Sequence, residues 1–206
     1  MTEDLYHRQT YPILVIISGP SGVGKDTVAR RLIKRRPDEF HFVVTATTRE
    51  PRDNEVEGYD YRFVSNDEFA RMIEEDELLE YAVVYNQYKG IPKQQVRDAL
   101  KSGKNVIMRL DVQGTATVRK LVPGAITVFL CTETEEDLVR RLRNRESDPA
   151  EGVNLRIAEA RQEIKRLQEF DYCVINAEDE QELAVDKILS IVDAARCQVK
   201  QVKIDL

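Results

Sequence analysis

The sequence has little of what metal-centred or disulfide-built proteins depend on. Its 206 residues include three cysteines and two histidines. Cys131, Cys173 and Cys197 are far apart, form no CxxC spacing, and have only His7 and His41 as possible partners. That pattern excludes the usual zinc frameworks. Two of the cysteines lie in apolar runs and read as packing residues. No apolar run approaches the ~18 residues that a membrane-crossing helix needs. Met1-Thr2-Glu3-Asp4 is acidic and has no signal-peptide character,. Internal repeats, low-complexity stretches and a Pro/Gly/Ser-rich linker are also missing. The net charge is −6, so nothing in bulk draws the chain to a phosphate backbone. These absences predict a cytoplasmic protein that engages neither nucleic acid nor membrane, and they leave local arginine clusters more informative than the total charge.

What is present suits one compact domain. Apolar residues make up 42% of the chain and charged residues 33%, an ordinary globular balance. Residues 1–10 are polar and read as a loose tail. Tyr11–Ser18 is a short run rich in β-branched residues, which predicts a buried strand. A helical pattern follows from Lys25 to Arg36, with Val28, Leu32 and Ile33 on one face and Pro37 ending it. The alternation then returns. Strands are predicted at Asn105–Leu110, Ile126–Cys131 and Tyr172–Asn176. Helices are predicted at Gln113–Leu121, at Glu135–Arg145 after a cap at Thr132 or Thr134, and at Asp179–Arg196. Strands alternating with helices point to an α/β fold, with a parallel sheet covered on both faces. Between Phe42 and Gly103 the texture changes. Strands at Val43–Thr47 and Tyr61–Val64, a Ser65-capped helix at Asn66–Glu75, a mixed β segment at Leu78–Tyr88 and a helix at Pro92–Ser102 read as an insertion with a small core of its own.

The first strand runs into Gly19-Pro20-Ser21-Gly22-Val23-Gly24-Lys25-Asp26-Thr27. A glycine-rich turn between a strand and a helix aims backbone N–H groups at an anion, and the helix adds its positive end. Lys25 supplies a point charge for terminal phosphates. Asp26 stands where this loop usually carries a Ser or Thr for Mg²⁺, and Thr27 comes one residue late. An aspartate is itself a hard oxygen ligand, so Asp26 is a candidate for the metal. Further on, Arg49 and Arg52 flank Pro51. A proline-stiffened loop can aim both guanidiniums at one phosphate, and Tyr61 can add a hydroxyl. Taken alone, the same stretch reads equally well as a solvated charged loop.

In order and spacing these segments resemble guanylate kinases. The resemblance rests on Gly19–Lys25, on TTREPRDNEVEGYDYRFVS over Thr47–Ser65, on Leu79-Glu80-Tyr81-Ala82, on Asp111-Val112-Gln113-Gly114, on Arg140–Arg145, and on Asp171-Tyr172 leading to Val174-Ile175-Asn176. It covers about residues 13–195. The family implies a three-layer P-loop NTPase fold with a central parallel sheet, an inserted mixed α/β nucleoside-monophosphate-binding region and a helical lid. Divided accordingly, the core is 11–43, 103–133 and 158–206, the insert 44–102, and the lid 134–157. The implied reaction is Mg²⁺-dependent transfer of the γ-phosphate of ATP to GMP or dGMP by a monomer or homodimer.

Carried over by position, the resemblance puts ATP on Gly19, Pro20, Ser21, Gly22, Val23, Gly24, Lys25, Asp26, Thr27 and Asn176. It puts GMP on Thr45, Arg49, Arg52, Glu55, Tyr61, Glu80, Lys89 and Asp111. The catalytic set becomes Lys25, Arg49, Arg141, Arg145 and Arg156, and the metal falls to Asp26 and Asp111. Without the resemblance, Arg141 and Arg145 read as a solvated helix face with i,i+4 pairs. Glu80 and Asp111 make chemical sense opposite guanine. Guanine offers N1–H and N2–H₂ donors, whereas adenine would leave a buried carboxylate unpaired.

Four positions depart from the family pattern. Asp26 replaces the loop hydroxyl, Arg109 replaces the first Asp of an Asp-x-Asp pair, Lys89 replaces a phosphate-binding tyrosine, and Ile91 replaces a hydroxyl that helps read the base. Asp26 and Arg109 read as a compensating pair, one carboxylate lost and another gained. The departures keep two other readings open. One is a kinase of the same fold acting on another phosphorylated acceptor, such as ribose 1,5-bisphosphate. The other is a non-catalytic guanylate-kinase-like binding module.

Overall fold

In the computed structural model, residues 10–53, 55–84, 87–144 and 152–206 are described. Five strands form one parallel sheet: β1 (Leu14–Ser18), β2 (Phe40–Phe42), β7 (Asn105–Arg109), β8 (Ile126–Cys131) and β9 (Tyr172–Ile175), in the order β2-β7-β1-β8-β9. The central strand β1 is buried along its whole length, and its side chains alternate between two cores. Val15 and Ile17 pack with Val28, Ala29 and Leu32 of α1 (Lys25–Arg35), and with Val185, Ile188 and Val192 of α7 (Gln181–Arg196). Leu14 and Ile16 pack on the opposite face with Val96 of α3 (Lys93–Lys101) and Val118 of α4 (Val112–Leu121). A strand covered on both faces has no polar side to keep, which is why β1 reads as an unbroken apolar run. The result is the three-layer α/β architecture that the sequence implies.

The insert is a second, four-stranded sheet ordered β4-β3-β6-β5, from β3 (Ala46–Thr47), β4 (Arg62–Phe63), β5 (Leu78–Val84) and β6 (Gln87–Pro92). Helix α2 (Asn66–Glu74) starts at Ser65, whose side chain accepts from the Glu68 N–H at 3.0 Å. The insert core is small: Ala46, Phe69, Met72 and Leu78. Helices α5 (Glu135–Arg143) and α6 (Val153–Ile164) pack on each other through Leu138, Leu142, Ile157 and Ala160.

Several elements differ from the sequence reading. The segment at 78–88 is two antiparallel strands, β5 and β6, and not one mixed run. Pro92 ends β6 and is the N-cap of α3, one residue ahead of the first turn. Strand β2, which the sequence reading did not predict, lies within the span assigned to the core and completes the main sheet beside β7. Thr134, not Thr132, caps α5 by accepting from the Asp137 N–H at 3.1 Å. Helix α6 runs across residue 157, where the sequence divides lid from core. Cys173 is exposed and Cys131 half-buried, their sulfurs 3.3 Å apart on neighbouring strands, so the pair is not interior packing. No helix among the described residues is long and apolar enough to cross a membrane.

Candidate active site

A cleft of about 1170 Å³ opens at the carboxyl end of the main sheet, between the glycine turn, the insert and the α5–α6 pair. Ligands of parallel α/β folds collect at this end, where loops leave the strands. The volume is large for one small ligand and suits two nucleotides.

On the donor side, Gly24 is the N-cap of α1 with φ +93°, a left-handed conformation that a side chain would strain,. A Cβ there would also stand 2.5 Å from Asn176 Nδ2. That amide donates to the Val23 carbonyl at 2.8 Å and is buried. Asn176 therefore braces the turn from behind and is not among the residues lining the cleft, where the resemblance expects it against ATP. Val23 is likewise fully buried, so these two shape the loop from inside the protein. Lys25 curls over the turn, its Nζ donating to the Gly19 carbonyl at 2.5 Å and the Pro20 carbonyl at 2.9 Å. Burial lowers the Lys25 pKa, and the carboxylates of Glu163, Asp26 and Asp111 work against that. Ser21, Gly22, Gly24, Lys25, Asp26 and Thr27 all face the cleft.

Across the cleft, Arg49 is held in a two-pronged ion pair, Nη1 and Nη2 donating to Glu55 Oε2 and Oε1 at 2.6 and 2.5 Å. Its guanidinium lies 4.7 Å from the Tyr61 ring centre and 5.5 Å from that of Phe63. Burial opposes the charge on Arg49, and Glu55 more than offsets it. Glu55 also accepts from the Arg52 N–H at 3.0 Å. Engaged this way, Glu55 positions Arg49, and its side chain is not among those lining the cleft. Arg52, Tyr61, Thr45 and Lys89 do line the cleft. Burial and the nearby charges of Arg109, Arg49 and Lys25 lower Lys89 to about 8.

Deeper in, Glu80 on β5 is 6% exposed, and its pKa is raised to about 7 by burial and then by Asp111. Gly114 admits this approach, since a Cβ there would meet Glu80 Oε2 at 2.9 Å. Asp111 caps α4, its Oδ1 accepting from the Gly114 N–H at 2.7 Å. One of its oxygens is thus committed to the helix. Ile91 is fully buried in the core, so its methyls replace a hydroxyl at a position that does not face the cleft.

The lid side brings Arg141 and Arg156 to the cleft. Arg141 Nη2 donates to the Asn176 carbonyl at 2.9 Å, which ties α5 to the end of β9. Arg145 lies outside the described residues. Sequence reasoning missed Glu163 of α6, whose raised pKa comes from burial, with Lys25 opposing, and which accepts from the Ser21 N–H. It gave Arg109 a place only as the compensating partner of Asp26, and no role toward either substrate. For Mg²⁺, the side chain of Asp26 is 47% exposed at the cleft edge and ion-paired with Arg109. Among the described residues no cluster of three or more His, Cys, Asp or Glu could cage a metal. Magnesium is held by one or two carboxylates together with substrate phosphates, and Asp26 offers one such carboxylate on the cleft.

A strand–glycine turn–helix at the carboxyl end of a parallel sheet, with a lysine over the turn, defines a P-loop nucleotide-binding protein. Comparison with known proteins narrows the class. A family model described as Guanylate kinase matches residues 11–195. The chain is 50% identical over 189 residues to "Guanylate kinase 2, chloroplastic/mitochondrial" of Oryza sativa subsp. japonica, covering 91% of this chain and 66% of the rice protein, which is longer. It is 41% identical over 191 residues to the guanylate kinase of Clostridium acetobutylicum, covering 93% of this chain and 90% of that one. The crystal structure of guanylate kinase from Anaplasma phagocytophilum superposes with a TM-score of 0.77 at 26% identity, over 94% of this chain and 92% of that one. The chain belongs to the guanylate kinase family.

Proposed function

We propose that the glycine turn at 19–25 holds the phosphates of ATP, and that Arg49, Arg52, Tyr61 and Lys89 hold the phosphate of GMP. As a guanylate kinase the chain transfers the γ-phosphate of ATP to GMP, giving ADP and GDP. The observation that carries the site reading is the single cleft on which Lys25 and the arginine pair of the insert both open.

The chemistry asks the protein for alignment and charge. An oxygen of the GMP phosphate attacks the γ-phosphorus in line. A P–O bond forms to GMP as the β–γ bridging P–O bond breaks, and the electron pair leaves with ADP. The nucleophile is already ionised near neutral pH, with a second pKa of about 6, so no general base is required. Catalysis then comes from positioning and from cations placed where charge moves. Lys25, Arg141 and Arg156 serve the donor side, with Arg145 assigned there by resemblance alone. Asp26, together with the phosphates, would hold Mg²⁺; Asp111, with one oxygen on α4 and the other assigned to guanine, has none left for the metal. When bound, the metal neutralises and orients the donor phosphates. Glu80 and Asp111 face the guanine edge and accept from its N1–H and N2–H₂. The α5–α6 lid, which has its own small core, and the insert are the parts that close to exclude water.

This arrangement predicts a pH profile. Glu80 must be ionised to accept from guanine, and its pKa is about 7. Lys89 must stay protonated to attract phosphate, and its pKa is about 8. The kcat/KM for GMP should therefore peak between these values, falling up to about tenfold per pH unit from 7 towards 6 and more steeply below about 6, where the GMP phosphate protonates as well. Glu80→Gln should abolish the acid limb near 7, leaving the limb near 6 that belongs to GMP itself. A wild-type profile flat from pH 6 to 7.5 would remove Glu80 from base recognition. For the reaction as a whole, a coupled ADP-release assay with GMP, AMP and ribose 1,5-bisphosphate should show turnover with GMP at least ~100-fold above the other two. Preference for either of the others would overturn the GMP-site reading.

A further inference from the structure

Arg109 ends β7, beside the end of β1 from which the glycine turn departs. The sequence marked it as an arginine in place of an expected acid. The structure shows what the guanidinium does there. Nη1 is ion-paired with Asp26, the residue next to Lys25, and Nη2 donates to the Asp60 carbonyl at 3.4 Å. Its guanidinium carbon lies over the Tyr61 ring, 4.4 Å from the ring centre, and Arg49 is the other guanidinium over that ring. One anchor thus belongs to the donor pocket and the other to the acceptor pocket. The side chain is 8% exposed, and what remains open faces the cleft.

A buried guanidinium is costly unless its charge and donors are used. Five N–H donors are available, and among the described residues the hydrogen bonds named above use two of its nitrogens, one of them weakly at 3.4 Å. A role as counter-ion to Asp26 would need a single point charge. A lysine meets that need, whereas a planar fork held by Asp26 and over Tyr61 fixes direction as well,. Its contacts with Asp26 and Tyr61 place the guanidinium on the cleft between the two proposed phosphate pockets, where negative charge would concentrate as donor and acceptor meet.

We infer that Arg109 is a catalytic residue of this chain, a built-in guanidinium that contacts the phosphoryl group in flight between the glycine turn and the Arg49–Arg52 pocket. Asp26 holds the fork in place until the phosphates compete for it. The exchanged charges at 26 and 109 are then a working alternative to the acid that the family pattern carries at 109. This inference rests on the two-pocket reading of the cleft.

The test is calorimetry without metal, so that any role of Asp26 as a ligand does not enter. The probes are ADP, GMP, and a bisubstrate dinucleotide joining adenosine and guanosine through five phosphates. ADP and GMP lack the transferred group; the dinucleotide fills its position. Arg109→Gln should weaken the dinucleotide about 100-fold while ADP and GMP each change less than about threefold, and kcat should fall about 10²- to 10³-fold. KM for GMP should stay within about threefold. Arg109→Lys keeps a charge opposite Asp26 and serves if the glutamine variant does not fold. It should still lose about tenfold in dinucleotide affinity, because a point charge does not replace the fork. Unchanged dinucleotide binding in either variant, or an equal loss for ADP or GMP alone, overturns the inference and leaves the pockets standing. If the unaltered protein binds the dinucleotide no better than ADP, the pocket reading fails, and the inference with it.

Discussion

Lys25→Ala should lower kcat by about 10³-fold or more and leave the thermal unfolding midpoint nearly unchanged. The rate loss follows from place and charge. The lysine lies over the turn on the carbonyls of Gly19 and Pro20 and faces the cleft, partly withdrawn from solvent, where each charge counts for more,. A preorganised cation removed from phosphoryl transfer costs about 10²- to 10⁵-fold, so ~10³ corresponds to roughly 4 kcal/mol of transition-state stabilisation. The fold should tolerate the change because Lys25 lies on the cleft, outside the apolar clusters. Asn176 and the left-handed Gly24 keep the turn in shape without it. Single-turnover kinetics, with thermal unfolding alongside, make the measurement. Turnover within about tenfold of the unaltered protein would take the glycine turn out of the chemistry.

Arg49→Ala should cost nearly as much, and for a compound reason. The substitution removes a phosphate ligand and also strips Glu55 of its partner. Glu55 accepts both prongs of the Arg49 fork and the Arg52 N–H. Without Arg49 a carboxylate stands unopposed beside the place reserved for a phosphate dianion, and like charges at that range repel strongly in a half-buried site. The kcat/KM for GMP should fall about 10³-fold while ATP affinity stays within about threefold, since the donor turn is built from other elements. Removing both groups in Arg49→Ala/Glu55→Gln should recover part of the loss, about tenfold, by deleting the repulsion. No recovery would mean that Glu55 matters only as a brace. An equal loss of ATP affinity would mean that the pockets are not separate.

Much of this was legible in the residues. The main-sheet strands announced themselves because both their faces are buried, so that Leu14–Ser18 and Ile126–Cys131 are apolar runs bounded by turn signals. The glycine turn was legible because its chemistry is local: seven consecutive residues make the cradle. Helix α6 was not. Its buried positions, Ile157 and Ala160, are few among charged neighbours, and it gains its place by packing on α5, which no local pattern records. Strand β2 is three residues long and stands beside β7, more than sixty residues away in sequence.

In the site, residue types were readable and partners were not. The spacing of Arg49 and Glu55 does not say that the glutamate grips the arginine. Nor does Asn176 reveal that its amide faces the back of the turn. Arg109 carried a signal, an arginine where an acid was expected, but its meaning depends on Asp26 and Tyr61, which only the fold brings together. Ile91 ran the other way: it looked like a lost specificity contact, and its burial in the core removes most of that concern.

The central claim is that two anion pockets face one another across a single cleft. A crystal structure of the protein with ADP and GMP bound tests it most directly. The β-phosphate of ADP should sit on the backbone N–H groups of residues 19–25 under Lys25 Nζ, and the GMP phosphate on Arg49, Arg52 and Tyr61, with Glu80 against the guanine edge. A GMP phosphate found anywhere else, or the Arg49 guanidinium turned away from the glycine turn with no room for two nucleotides between, would contradict the account.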